Sequence, residues 1–203
     1  MDSVTYVVTS GWASGLNVYA TILITGLLGR VGGVEGVPDV LQRTEVLIAA
    51  GVLAAIEFVA DKIPYVDSVW DAVHTAIRPT LGAIVGALLG GEADDLSGAT
   101  GAVLGGGTAL LTHASKAGLR LAVNASPEPF SNVALSLAEN AAVVGVILFA
   151  VDHPWAALAI ALTLLGGGML VVVLLFRRVL RSWQRLWDRR GPPSVTAART
   201  KRQ

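Results

Sequence analysis

The sequence predicts an all-α fold: a polytopic membrane protein of about six transmembrane helices, with two related helical hairpins and one broken or re-entrant helix. Three observations lead there. The 203-residue chain is 53% hydrophobic and only 15% charged, where soluble domains carry about 25% charged residues. The charges are segregated, because long apolar segments alternate with short charged loops and nine of the fifteen basic residues follow Phe176. A polar stripe also occurs twice inside otherwise apolar sequence.

In chain order, the first apolar segment runs from about Gly11 to Leu28 and the second from Val46 to Ala60. A full span takes about 20 apolar residues, so the second is short. The third starts near Val73 or Pro79 and ends at Gly91. Pro79 interrupts it, which places the expected broken or re-entrant helix here. The fourth spans Gly98 to about Val123, the fifth Val133 to Val151 and the sixth Trp155 to Phe176. Residues 1–182 form the expected transmembrane domain and 183–203 a basic cytoplasmic tail, partly disordered at GPPSVTAARTKRQ. Trp183 and Trp187 beside that tail read as interfacial anchors.

Orientation follows from the loops. The tail holds Arg177, Arg178, Arg181, Arg185, Arg189, Arg190, Arg199, Lys201 and Arg202, and the positive-inside rule puts it in the cytoplasm. Six alternating spans then put the N-terminus inside, together with Lys62, Arg78, Lys116 and Arg120. Thirteen of fifteen basic residues fall on that side, with Arg30 and Arg43 opposite. The segment MDSVTYVVTSGW has no basic stretch, so a cleaved signal peptide is not expected. The absence of cysteine excludes disulfides, thiol catalysis and thiolate metal sites.

The stripes are PYVDSVWDAVHT at 64–75 and PFSNVALSLAEN at 129–140. With an offset of 65 residues, Pro64 matches Pro129, Tyr65 Phe130, Asp67 Asn132, Asp71 Ser136 and His74 Glu139. The last three pairs sit at i, i+4 and i+7, one face of a helix. Valines, Trp70 and leucine fill the other face. Ionisable groups at membrane depth are costly and mark sites, and paired copies point to a duplicated hairpin with a polar site between its halves. Before each stripe a further helix brings polar groups to the same side. Glu57 and Asp61 share one face, and His113, Lys116, Arg120 and Asn124 another. Aligning these segments sets Glu57 against Arg120 and Asp61 against Asn124. The candidate site is therefore Glu57, Asp61, Asp67, Asp71, His74, Arg120, Asn124, Asn132, Ser136 and Glu139. Against it stand plainer readings: an ion pair that only locks the hairpins together, Lys62 and Arg78 as snorkelling residues, and Asp67 and Asp71 on a helix lying on the membrane.

The oxygen-rich set would suit a hard divalent cation such as magnesium, manganese or calcium, although no HExxH or EF-hand spacing is present. GxGxxG and Walker sequences are absent, as are DxxDG-type and PSGH-like patterns. Gly82, Gly86 and Gly90, Gly101 and Gly105, and Gly11 and Gly15 repeat at GxxxG spacing. That spacing serves helix packing within the chain or a homo-oligomer seam.

EFVADKIPYVDSVWDAVHTAIRP followed by HASKAGLRLAVNASPEPFSNVALSLAEN resembles the bacterial integral membrane family known as Domain of Unknown Function 4126. SGLNVYATILITGLLGR is similar to that family's opening segment, which usually has arginine where Asn17 stands. The resemblance covers nearly the whole chain to about Phe176. It implies a small multi-span protein of a bacterial inner membrane and no particular activity.

The expected function is a small transporter or channel for a cation or small polar solute, whose pathway runs between the two hairpins. The expected partners are the lipid bilayer and that solute, with no nucleic acid. The alternatives are a membrane-embedded enzyme or binding protein for a lipid or isoprenoid phosphate, and a structural membrane protein.

Overall fold

The computed structural model describes residues 3–188 except 64, 94 and 125–128, with the side chains of 129 and 185–188 left aside. Pro64, Asp94, Pro127, the Trp187 side chain and the tail after residue 188 thus lie outside the described residues. Those described form helices joined by short connections, without a strand. In order they are α1 (Ser3–Arg30), α2 (Asp39–Gln42), α3 (Thr44–Ala60), α4 (Val66–Gly91), α5 (Gly98–Asn124), α6 (Pro129–Asp152) and α7 (Pro154–Asp188). Six of them coincide with the six apolar segments. By length and composition α1, α4, α6 and α7 qualify to cross a membrane. Helix α3, with 17 residues, reaches about 25 Å at 1.5 Å per residue, against roughly 30 Å of hydrocarbon.

Helix α1 is not straight. Asn17 has extended backbone (φ −152°, ψ 95°) in the middle of it, and the helix doubles back there. Tyr6 approaches Thr25, and Ser3 lines the same pocket as Glu35 and Gly36. The first half runs alongside α5, with Gly11 against Gly105 and Gly15 against Ala109 and Thr112. The second half returns beside α3, where Gly26 meets Leu41 and Leu47, and Leu23 meets Gly51. Residues 3–16 and 18–30 are thus two half-helices folded back on each other, with the bend at Asn17. This corrects two expectations. The interruption falls at Asn17 and not at Pro79, and the N-terminus lies at the same end as the 31–38 loop. Helix α4 continues through Pro79, where the Thr75 and Thr80 hydroxyls donate to carbonyls of Asp71 and Ala76 at 3.0 and 2.8 Å. Hydroxyls of this kind relieve a proline within a buried helix.

Helices α1, α4 and α5 meet through glycine. A Cβ on Gly86 would strike the Gly101 carbonyl, and one on Gly101 the Gly86 carbonyl. Backbones that touch need residues without side chains. Two layers result. Towards the end holding Ser3, Glu35 and Glu92 the core is apolar, with Tyr6, Val7, Trp12, Val85, Leu89, Val143, Ile147, Ala150 and Ala157. Towards the opposite end it is ionic. Helix α7 lies outermost, and beyond the bundle it carries exposed basic residues and Trp183, itself 68% exposed.

Candidate functional site

The ionic layer is built from the first half of α4, the last turns of α3 and α5, the start of α6 and the tip of α1. The first turns of α4 are inside-out. Asp67, Asp71, His74 and Arg78 are buried, while Val66, Val69 and Val73 face outward, with Val69 67% exposed. Helix α6 repeats this with Asn132, Ser136 and Glu139 inside and Leu137 outside. The surface-helix reading of Asp67 and Asp71 is therefore overturned.

Three cations organise the layer. Arg78 donates to Glu57 Oε1 at 2.7 Å, Asp71 Oδ1 at 3.0 Å and His113 Nδ1 at 2.7 Å. Lys116 donates to Asp61 Oδ2 at 2.7 Å and lies 3.6 Å from Glu139 and 3.8 Å from Glu57. Arg120 donates to Glu139 Oε2, Asn132 Oδ1 and the Asp61 carbonyl at 2.7, 2.7 and 2.6 Å, and reaches Asp67 at 3.4 Å. Asn124 donates to both Asp67 oxygens, at 3.1 and 3.0 Å. All ten expected site residues are thus in the layer, Asn124 half-buried and the other nine buried. The expected pairing is corrected. Glu57 takes Arg78, not Arg120, because Arg78 is fully buried and does not snorkel. Lys62 does stay outside. Its ammonium sits over the Phe58 ring and donates to the Phe58 carbonyl at 2.8 Å, and partial burial holds it below its ordinary pKa.

Sequence reasoning left Arg78, Lys116, His113, Tyr19 and Asn17 out of the site. The break in α1 explains several of them. In an unbroken helix the Ala20 amide would bond the Leu16 carbonyl. Here it bonds Asn17 Oδ1 at 2.8 Å, so Asn17 caps the second half-helix as Asn does at an N-cap. The freed Leu16 carbonyl accepts from Lys116 at 3.0 Å, and that of Gly15 from Arg78 at 3.5 Å. The carboxyl end of a helix attracts cations, so the hairpin tip is latched to the layer. Asn17 Nδ2 also reaches Asn140 at 3.2 Å.

The histidine tautomers follow from their partners. Arg78 can only donate, so His113 Nδ1 accepts. Its Nε2–H then donates to Thr75 Oγ1 at 3.1 Å. His74 Nδ1 faces the Trp70 carbonyl at 2.8 Å and must carry the proton, so its Nε2 accepts from the Tyr19 hydroxyl at 3.1 Å. Both rings are neutral in this arrangement. Among the described residues the layer then holds five buried carboxyls (Glu57, Asp61, Asp67, Asp71 and Glu139) against three cations. Four of those carboxyls leave one oxygen with no hydrogen-bond partner among the described residues: Glu57 Oε2, Asp61 Oδ1, Asp71 Oδ2 and Glu139 Oε1. Among the described residues no three carboxylate or imidazole side chains converge as a metal ion would require.

Comparison with known proteins adds one finding. The family model described as "Domain of unknown function (DUF4126)" matches residues 4–176. No curated protein and no solved structure matches the chain.

Proposed function

The chain belongs to the DUF4126 family, whose description assigns no activity, and from the site itself we propose a small membrane transporter that moves a monovalent cation in exchange for protons. The observation that carries this reading is the buried surplus of carboxyls. Two negative charges are left over in a low-dielectric layer, where an unanswered charge costs several kcal/mol or more. Two protons, or one proton and one bound monovalent cation, must answer them, and exchanging a proton for the cation is the elementary step of a coupled carrier. The four unpartnered oxygens are where either would sit. A re-entrant hairpin tipped into such a layer is the kind of irregular backbone that is tolerated at membrane depth only where protein or a cavity surrounds it. An acidic bowl of about 410 Å³ at the far end, lined by Glu35, Glu92 and Asp95, would raise the local cation concentration.

The two polar stripes, read as a duplicated hairpin, meet at Arg120, which holds Asp67 from one and Asn132 and Glu139 from the other. A lipid-phosphate site is less well supported. Arg78, Lys116 and Arg120 each already hold a carboxylate, at 2.7 Å. A purely structural network would have no use for the surplus of acids.

The test is flux. Purified protein in liposomes containing a trapped pH dye should release protons when sodium, potassium or small ammonium ions are added outside. Asp71→Asn and Glu139→Gln should each abolish that release while leaving thermal unfolding nearly unchanged. Proton release by none of these cations, in protein shown to be folded, would end the transport reading.

The proposed topology has five crossings, α3 to α7, with α1 entering and leaving from the outer face. The basic C-terminus is then cytoplasmic and the N-terminus outside. The cysteine-free sequence makes single-cysteine labelling clean. Cysteine at Ser3, Glu35 and Glu92 should react with an impermeant maleimide from outside, and cysteine at Lys62 and Arg181 only from inside. Labelling of position 3 from the same side as position 62 would sink the arrangement.

A further inference from the structure

A second cavity, of about 190 Å³, lies between α1, α5, α6 and α7. Its walls are almost wholly apolar, formed by Trp12, Leu16, Leu119, Leu135 and Leu165. Leu164, 48% exposed, marks its outer rim on the lipid-facing side, and Lys116 and Glu139 close its inner end. An apolar cavity ending in charged groups selects a molecule with an apolar body and a charged head. The sign of that head can be derived.

The Lys116 ammonium donates to Asp61 and the Leu16 carbonyl and lies 3.6 Å from Glu139 and 3.8 Å from Glu57, so its charge is already answered by carboxyls. An anionic head would add a third negative charge to a layer already two in excess. Glu139 has the opposite character. Its Oε2 is held by Arg120, but its Oε1 is buried with no partner. Thr112, which lines the same cleft, also has a buried hydroxyl without a partner. A carboxylate oxygen and a hydroxyl are the acceptors an ammonium ion needs. Size narrows the class further. An apolar cavity of about 150 Å³ holds benzene, so this one takes a single ring, or an alkyl body of like size, with a small cationic head.

We propose that this cleft binds a small aryl- or alkylammonium ion that enters from the bilayer side, its apolar body among Trp12, Leu16, Leu119 and Leu135 and its ammonium against Glu139 Oε1. This names the cation of the transport reading and rests on it for its physiological sense, but binding can be measured without transport.

The experiment is equilibrium binding of radiolabelled benzylamine, protonated at neutral pH, to the purified full-length protein in detergent micelles. Benzyl alcohol, of the same shape without charge, is the comparison. Saturable benzylammonium binding is expected, with the alcohol at least tenfold weaker. Ala138→Phe, which fills the cleft from α6 without touching the ion layer, should abolish saturable binding with an unchanged melting curve. Glu139→Gln should weaken binding at least tenfold. If that variant does not fold, Ala138→Phe decides alone. No saturable binding by the wild type, equal binding of the alcohol, or wild-type binding by Ala138→Phe each overturns the proposal. Binding without cation-driven proton flux would keep the site and remove the transport reading. Sodium or potassium flux without benzylammonium binding would do the reverse.

Discussion

Replacing Arg78 with methionine is expected to destabilise the protein by about 3–5 kcal/mol, the range for removing one partner from a buried ion pair. Arg78 is fully buried and serves Glu57, Asp71, His113 and the Gly15 carbonyl together. Methionine fills similar volume but leaves both carboxylates facing apolar surroundings. Lysine at the same place should recover only part of the loss, since a point charge cannot reproduce the fork that spans two acids. The acids should behave differently. With five carboxyls against three cations, Asp71→Asn leaves four against three and strands no base, so its cost should stay near 1 kcal/mol. Thermal unfolding in one detergent would measure all three variants. If Arg78→Met melted like the wild type, or if Asp71→Asn cost as much as Arg78→Met, the charge count behind the proposed function would be wrong.

The second large effect concerns the glycine seam. Gly101→Leu should cost about 3 kcal/mol or more, above the middle of the range for overfilling a core. The new side chain meets the Gly86 carbonyl and the Gly90 Cα, both backbone, and backbone cannot rotate aside. Separating α4 from α5 there would also pull apart the helices that carry Arg78 and Lys116, so folding and flux should fail together. Gly107→Ala supplies the contrast. Nothing lies within 4 Å of a Cβ there, and alanine is the better helix former, so stability should hold or rise by up to about 1 kcal/mol. Equal melting temperatures for Gly101→Leu and Gly107→Ala would show that the seam is not as close as described.

Much of this was legible in the sequence. The helix positions followed from apolar segment lengths, and the polar stripes gave the inward faces of α4 and α6. That Asp67, Asp71, His74, Asn132, Ser136 and Glu139 share one layer needed only helical spacing. Two features were hidden for physical reasons. Arg78 precedes Pro79 near the edge of an apolar segment, where an arginine ordinarily reaches for the interface, and nothing local tells that Glu57 lies opposite it. The reversal of α1 was hidden because both halves are apolar, so hydropathy cannot tell a span from a hairpin. A signal was present all the same. Asn17 is an N-cap residue within an apolar run, and Thr5, Thr9, Ser10, Ser14, Thr21 and Thr25 are all buried. Small hydroxyl residues at that frequency suit a segment enclosed by other helices.

The doubling back of α1 has a consequence for the order of assembly. Each half is about 14 residues, or roughly 21 Å, too short to cross a bilayer by itself. The Leu16 and Gly15 carbonyls at the tip are held by Lys116 and Arg78, and the Asn17 side chain reaches Asn140, all of which the ribosome makes later. Until α4, α5 and α6 are in place, the hairpin tip has nothing to close its carbonyls in lipid. Helix α1, synthesised before α4, α5 and α6, therefore settles after them, and its early commitment as a straight span is the misassembly this sequence has to escape.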